Sequence, residues 1–143
     1  MKNNSFTAAS SIPYKIIIND GIVSDVKHHS IKPIHIQLNP TNTCNFKCSF
    51  CSCKNRNVGE ELDFKRLKET IEKFYKLGTR AITITGGGEP LCYSHINDFF
   101  QLIINEYDDI KIGLTTNGVL LPKLNNEYFK RLTWCRISVS DIS

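Results

Sequence analysis

Ile34-His35-Ile36-Gln37-Leu38-Asn39-Pro40-Thr41-Asn42-Thr43-Cys44-Asn45-Phe46-Lys47-Cys48-Ser49-Phe50-Cys51 is a short alternating run that passes directly into a loop holding three cysteines. Apolar Ile34, Ile36 and Leu38 alternate with His35 and Gln37, which is the period of a β-strand. Cys44-x-x-x-Cys48-x-x-Cys51 is tight enough for three sulfurs to converge on one point. Three converging thiolates with no fourth partner at matching spacing suit an iron–sulfur cluster that keeps one iron open for chemistry.

The strand–loop–helix pattern then repeats. Asp63 opens a helix with Phe64, Leu67, Ile71 and Phe74 on one face and Gly78 as its stop. Ala81 to Thr85 reads as a second strand, followed by Gly86-Gly87-Gly88-Glu89-Pro90 and a helix from about Ser94, with Ile96, Phe99, Phe100 and Ile103 on its apolar side. Ile110 to Thr116 is a third strand, followed by Asn117-Gly118 and a shorter helix near Asn126 to Leu132; Cys135 to Ser140 reads as a fourth strand. Strands alternating with helices imply an α/β fold with a parallel sheet and right-handed crossovers.

Each strand also alternates in polarity. Ile82 and Ile84 stand against Thr83 and Thr85; Ile110, Ile112 and Leu114 against Lys111, Gly113 and Thr115; Ile137 and Val139 against Arg136, Ser138 and Ser140. A parallel strand covered on both faces is usually apolar throughout, so one face is expected to pack on the helices and the other to line something polar. A curved sheet around a cavity, a partial (β/α) barrel, accounts for this better than a flat sheet, although a two-layer domain with a solvated face also permits it. In such folds ligands bind at the carboxyl ends of the strands. The cysteine loop, Gly86 to Pro90, Asn117-Gly118 and Ser138 to Asp141 are therefore expected to meet at one rim.

Upstream the sequence is less legible. Met1 to Ser11 looks like a frayed terminus, and in Tyr14 to Ser30 two readings stay open: a hairpin turn at Asn19-Asp20-Gly21, or Ile16, Val23 and Val26 on helical turns. Residues 1–30 are assigned to an N-terminal extension and 31–143 to the core domain. A chain of 143 residues, 41% apolar, allows one globular domain and is short for two. A net charge of +4, from 18 basic and 14 acidic residues spread along the chain, does not indicate nucleic acid. No apolar run approaches the roughly 20 residues that span a bilayer, and no export signal is visible, so a cytoplasmic location is expected.

Four of the six cysteines crowd into one loop, which favours metal or redox use over disulfides. A zinc ribbon needs a second pair, and Cys53, Cys92, Cys135 and the histidines His28, His29, His35 and His95 do not supply one. Cys53 is read as a bystander, Cys92 and Cys135 as small core residues. The glycine loop lacks the Lys-Ser/Thr of a phosphate-binding P-loop. A carboxylate at Glu89 beside bare backbone carbonyls suits a cationic amine instead.

Cys44-x-x-x-Cys48-x-x-Cys51, with Phe50 before the last cysteine, resembles the cluster loop of the radical S-adenosylmethionine (SAM) enzymes, and Gly87-Gly88-Glu89-Pro90 resembles their glycine–glutamate motif. The resemblance covers roughly Ile34 to Asp141 and implies a partial (β/α) barrel with about four of its βα units present, truncated at the C-terminus, either as the N-terminal part of a longer enzyme or as a truncated product that binds a cluster without turning over. It implies that Cys44, Cys48 and Cys51 hold a [4Fe–4S] cluster whose fourth iron binds SAM. Gly87, Gly88 and Glu89 would meet the methionine amine, and Phe50 would lie against the adenine through its backbone. Asn117, Ser138 and Ser140 would make polar contacts to the ribose or carboxylate. Reductive cleavage of SAM to a 5′-deoxyadenosyl radical would follow, with an electron from a reductant such as flavodoxin or ferredoxin. That radical takes hydrogen from a substrate, a peptide or small molecule, that the sequence does not name. Lys47, Lys54 and Arg56 would help to keep the thiolates deprotonated. The rival reading is a non-catalytic iron–sulfur or zinc-binding α/β module.

Overall fold

Four short strands, β1 (His35–Leu38), β2 (Ala81–Ile84), β3 (Lys111–Thr116) and β4 (Leu132–Ile137), pair in chain order as one parallel sheet in the computed structural model. The structure describes residues 32–139 and His28; the readings for Tyr14 to Ser30 otherwise lie outside the described residues, as do Ser140 and Asp141. Helices α1 (Phe64–Lys76), α2 (Ile96–Glu106) and α3 (Asn126–Arg131) occupy the three crossovers. Among the described residues β1 and β4 do not pair, so the sheet is open, as expected of a partial barrel.

The helices begin and end where local chemistry directs. Asp63 accepts the Arg66 N–H at 3.0 Å and caps α1. At the other end Gly78 takes φ 106° while its N–H bonds to Tyr75 O and the Thr79 N–H to Phe74 O, a paired closure that favours glycine at this position. Asn125 caps α3 by accepting the Glu127 N–H at 2.9 Å.

Leu67 and Ile71, one helical turn apart, carry α1 onto the sheet, and Phe99, Phe100 and Ile103 do the same for α2. They meet Ile82, Ile84, Ile112 and Leu114, and every one of these side chains is at most 1% exposed. Complete burial of such a side chain contributes about 1.5–3 kcal/mol, so this layer dominates the stability of the domain. On the opposite face the alternation places polar and small residues. Thr83 bonds to the His35 ring at 2.8 Å, and the Trp134 indole lies across Gly113, where an added Cβ would fall 2.2 Å from the ring.

The fourth strand departs from its sequence reading. It starts at Leu132 rather than Cys135, because Ile112 faces Leu132 while Gly113 faces Trp134, leaving Thr133 as an extra residue. The strand also ends earlier, at Ile137. Ile137 and Val139, expected to face the core, are 52% and 71% exposed. The reason is local: Ile137 pairs with Thr116, the last residue of β3, and α3 is a six-residue helix with no buried side chain to cover it.

Leu114→Ala is expected to lower the unfolding free energy by about 2–5 kcal/mol, whereas Val139→Ala stays within about 0.5 kcal/mol. Urea denaturation measures both. Equal costs would return the end of β4 to the core.

Candidate active site

The loop after β1 leaves and rejoins the sheet through a narrow neck. Asn42 N–H bonds to Glu60 O and Leu62 N–H to Pro40 O, both at 2.8 Å, around an antiparallel bridge between Thr41 and Glu61. The cysteine segment is thereby held as a closed excursion between fixed ends. Inside it, successive turns are formed by Cys51 N–H to Cys48 O at 3.2 Å, Lys54 N–H to Cys51 O at 3.2 Å and Arg56 N–H to Cys53 O at 3.1 Å. The Phe46 N–H donates to the Cys44 sulfur at 3.4 Å.

The glycine loop after β2 lies against this neck. Gly88 N–H bonds to Thr41 O at 3.0 Å and Glu89 N–H to Thr43 O at 2.9 Å. The approach leaves no space for a side chain: a Cβ on Gly88 would fall 2.1 Å from Thr43 O, and one on Gly87 2.5 Å from Asn42 Oδ1. Close passage of the cysteine loop therefore explains Gly87 and Gly88.

Glu89 is 3% exposed and its carboxylate is fully engaged. One oxygen accepts the Thr116 hydroxyl at 2.5 Å and the Leu91 N–H at 3.2 Å, and the other accepts the Asn117 N–H at 2.8 Å. Glu89 thus ties the loop after β2 to the end of β3. Asn117 extends the tie, its amide donating to Asn45 Oδ1 at 2.7 Å inside the cysteine loop. Gly118 follows at φ 85°, where its N–H reaches the Thr116 hydroxyl at 3.1 Å. Ser138 joins from just past β4, its N–H bonding to Thr116 O at 2.8 Å.

The loops from all four strands enclose one cavity of about 590 Å³. Cys44, Cys48 and Cys51 line it. Gly87, Gly88 and Glu89 form another part of its wall, and Phe50, Asn117 and Ser138 also border it. Ser140 is outside the described residues. Phe50 is 66% exposed. In this conformation the cysteines share the cavity without being gathered closely: among the described residues no three Cys, His, Asp or Glu side chains form a metal-binding group.

The remaining cysteines take three different places. All six thiols are unpaired, and Cys53 also lines the cavity. Cys135 packs against the hydrophobic core, as expected of a small core residue. Cys92 does not; it is half-buried, with its sulfur 4.0 Å from Asn45 Oδ1. Burial pushes the Cys92 and Cys135 thiols up, away from the thiolate form that a metal requires. Asn42, Asn45 and Thr116 are structural members of the site that sequence reading passes over. Their only sequence signal is position, beside the cysteines or at a strand end.

Residues 38–140 match the family model described as the radical SAM superfamily. A probable GTP 3',8-cyclase of Archaeoglobus fulgidus is 34% identical over 110 residues, covering 76% of this chain and 34% of that protein. A probable GTP 3',8-cyclase of Thermoplasma volcanium is 32% identical over 120 residues, covering 83% and 35%. A GTP 3',8-cyclase of Staphylococcus aureus is 34% identical over 118 residues, covering 76% and 34%. The chain spans about a third of the length of these curated relatives. Among the described residues no helix is long and apolar enough to cross a membrane.

Gly88→Ala is expected to destabilise the domain by about 1–3 kcal/mol, since the added methyl meets backbone that cannot swing away. An unchanged urea midpoint would mean that the two loops are not in contact.

Proposed function

The chain belongs to the radical SAM superfamily, whose enzymes use a [4Fe–4S] cluster and SAM, and we propose that its rim cavity binds both and starts hydrogen abstraction from a peptide or small-molecule substrate. The observation that carries this reading is the shared cavity: three thiols of one loop and the glycine loop pressed beneath it border the same space.

The donor types lining the cavity suit these groups, and the three sulfurs, not gathered in this conformation, would draw together on the cluster. Three soft sulfur donors suit iron, and the only carboxylate among the described residues lining the cavity, Glu89, is held by Thr116, Asn117 and Leu91 instead of competing for metal. A volume of about 590 Å³ falls within the range of small-molecule and cofactor sites. Cys44, Cys48 and Cys51 would hold three irons. When bound, the cluster and SAM supply a one-electron cleavage of a carbon–sulfur bond and with it a hydrogen-abstracting carbon radical.

The other residues orient and shield. The N–H groups of Gly88 and Glu89 are engaged by the cysteine loop, and the glycine carbonyls would be the backbone acceptors for the methionine ammonium. The buried Glu89 charge supplies a favourable field beside them. The Phe50 backbone would border the adenine, and Asn117, Ser138 and Ser140 would contact the ribose or carboxylate. The exposed outer side of the cysteine loop leaves room for a reductant such as flavodoxin or ferredoxin. Unpaired thiols suit a reducing, cytoplasmic setting. The relatives' names carry GTP as a substrate. The segment shared with them includes the cysteine and glycine loops, so the radical-forming half of the reaction is what would carry over.

Anaerobic reconstitution with iron and sulfide tests this reading. Wild-type protein is expected to hold about four irons per chain, Cys44→Ala, Cys48→Ala and Cys51→Ala to lose the cluster, and Cys92→Ser and Cys135→Ser to keep it. SAM should change the magnetic resonance spectrum of the reduced cluster. A full cluster in Cys48→Ala would overturn the ligand assignment, and stoichiometric zinc would favour the non-catalytic module.

A further inference from the structure

Arg56 lies five residues beyond Cys51, and its side chain turns back over the loop it follows. Its Nε donates to Asn42 O at 2.6 Å, at the start of the cysteine loop, and one terminal nitrogen donates to Cys53 O at 2.8 Å, at its end. The same nitrogen reaches the Cys51 sulfur at 3.6 Å. One guanidinium thus joins both ends of the loop and one of its thiols. The turns at Cys48–Cys51, Cys51–Lys54 and Cys53–Arg56 bring the side chain back to this position.

The surroundings leave that charge directed at the loop. Arg56 is half-buried in the cavity wall, and among the described residues no carboxylate forms an ion pair with it. Asn42, which it grips, is itself fixed through its own N–H to Glu60 O at 2.8 Å and its amide to Glu60 Oε2 at 3.2 Å. The guanidinium therefore pulls against an anchored point. A planar fork with several fixed donors performs this task where a flexible ammonium cannot.

Resting on the reading of Cys44, Cys48 and Cys51 as cluster ligands, we propose that Arg56 is a positioning residue for the cluster: it closes the cysteine loop, steadies Cys51 as a ligand and favours the reduced state. Adding an electron makes the cluster and its thiolates more negative. A cation and an N–H donor beside one sulfur stabilise that more negative state.

The full chain as wild type, Arg56→Gln and Arg56→Lys, reconstituted anaerobically, tests this by iron loss to a chelator and by the midpoint potential of the cluster. Arg56→Gln is expected to lose iron roughly tenfold faster and to have a midpoint more negative by about tenfold in the reduction equilibrium, or about 59 mV for one electron. Arg56→Lys keeps the charge without the fork, so iron loss should be fast while the potential stays near wild type. If Arg56→Gln does not fold, Arg56→Lys carries the test: iron loss at the wild-type rate overturns the proposal. An intact wild-type cluster with unchanged behaviour in Arg56→Gln overturns the role of Arg56 alone. A wild-type chain that assembles no cluster overturns both this role and the cofactor reading.

Discussion

Two backbone hydrogen bonds, Gly88 N–H to Thr41 O and Glu89 N–H to Thr43 O, press the loop after β2 against the base of the cysteine loop, and the rest of the rim is arranged around that approach. Each is worth about 1 kcal/mol net. Overpacking by one methyl costs about 1–3 kcal/mol, so a single Cβ at Gly88 would outweigh either bond. The glycines are therefore a condition of the contact, since a Cβ on Gly88 would sit 2.1 Å from Thr43 O.

Glu89 extends the constraint to the next strand. Its two oxygens take up a hydroxyl and two N–H groups from Thr116, Asn117 and Leu91, so moving the glycine loop would also move the end of β3. Asn117 returns the link to Asn45 in the cysteine loop. Three loops far apart in sequence thus form one connected polar unit above the apolar layer of Ile82, Ile84, Ile112 and Leu114. The core supplies most of the stability, and the polar unit sets where the thiols lie.

Much of this is legible in the sequence. The first three strands and all three helices follow from periodicity and caps. Leu67 and Ile71 in α1, and Phe99 and Ile103 in α2, repeat at helical intervals, while Asp63 and Gly78 mark the boundaries of α1. The meeting of four loops at one rim follows from parallel topology. The extra residue at Thr133 leaves no local signal, since Leu132, Cys135 and Ile137 remain compatible with more than one register. Glu89 is visible as a carboxylate beside glycines, yet its partners Thr116 and Asn117 come from the end of another strand. In sequence Arg56 reads only as one of three basic residues beside the thiolates, with Lys47 and Lys54, and the path of the turns shows which atoms it reaches.

The central claim is that Cys44, Cys48 and Cys51 hold a cluster with one iron left for SAM. Mössbauer spectroscopy of the full chain reconstituted with iron-57, recorded with and without SAM, tests it most directly. One iron of the four is predicted to change its signal when SAM is added while the other three hold theirs. Four irons that all keep their signals in the presence of SAM would contradict the account.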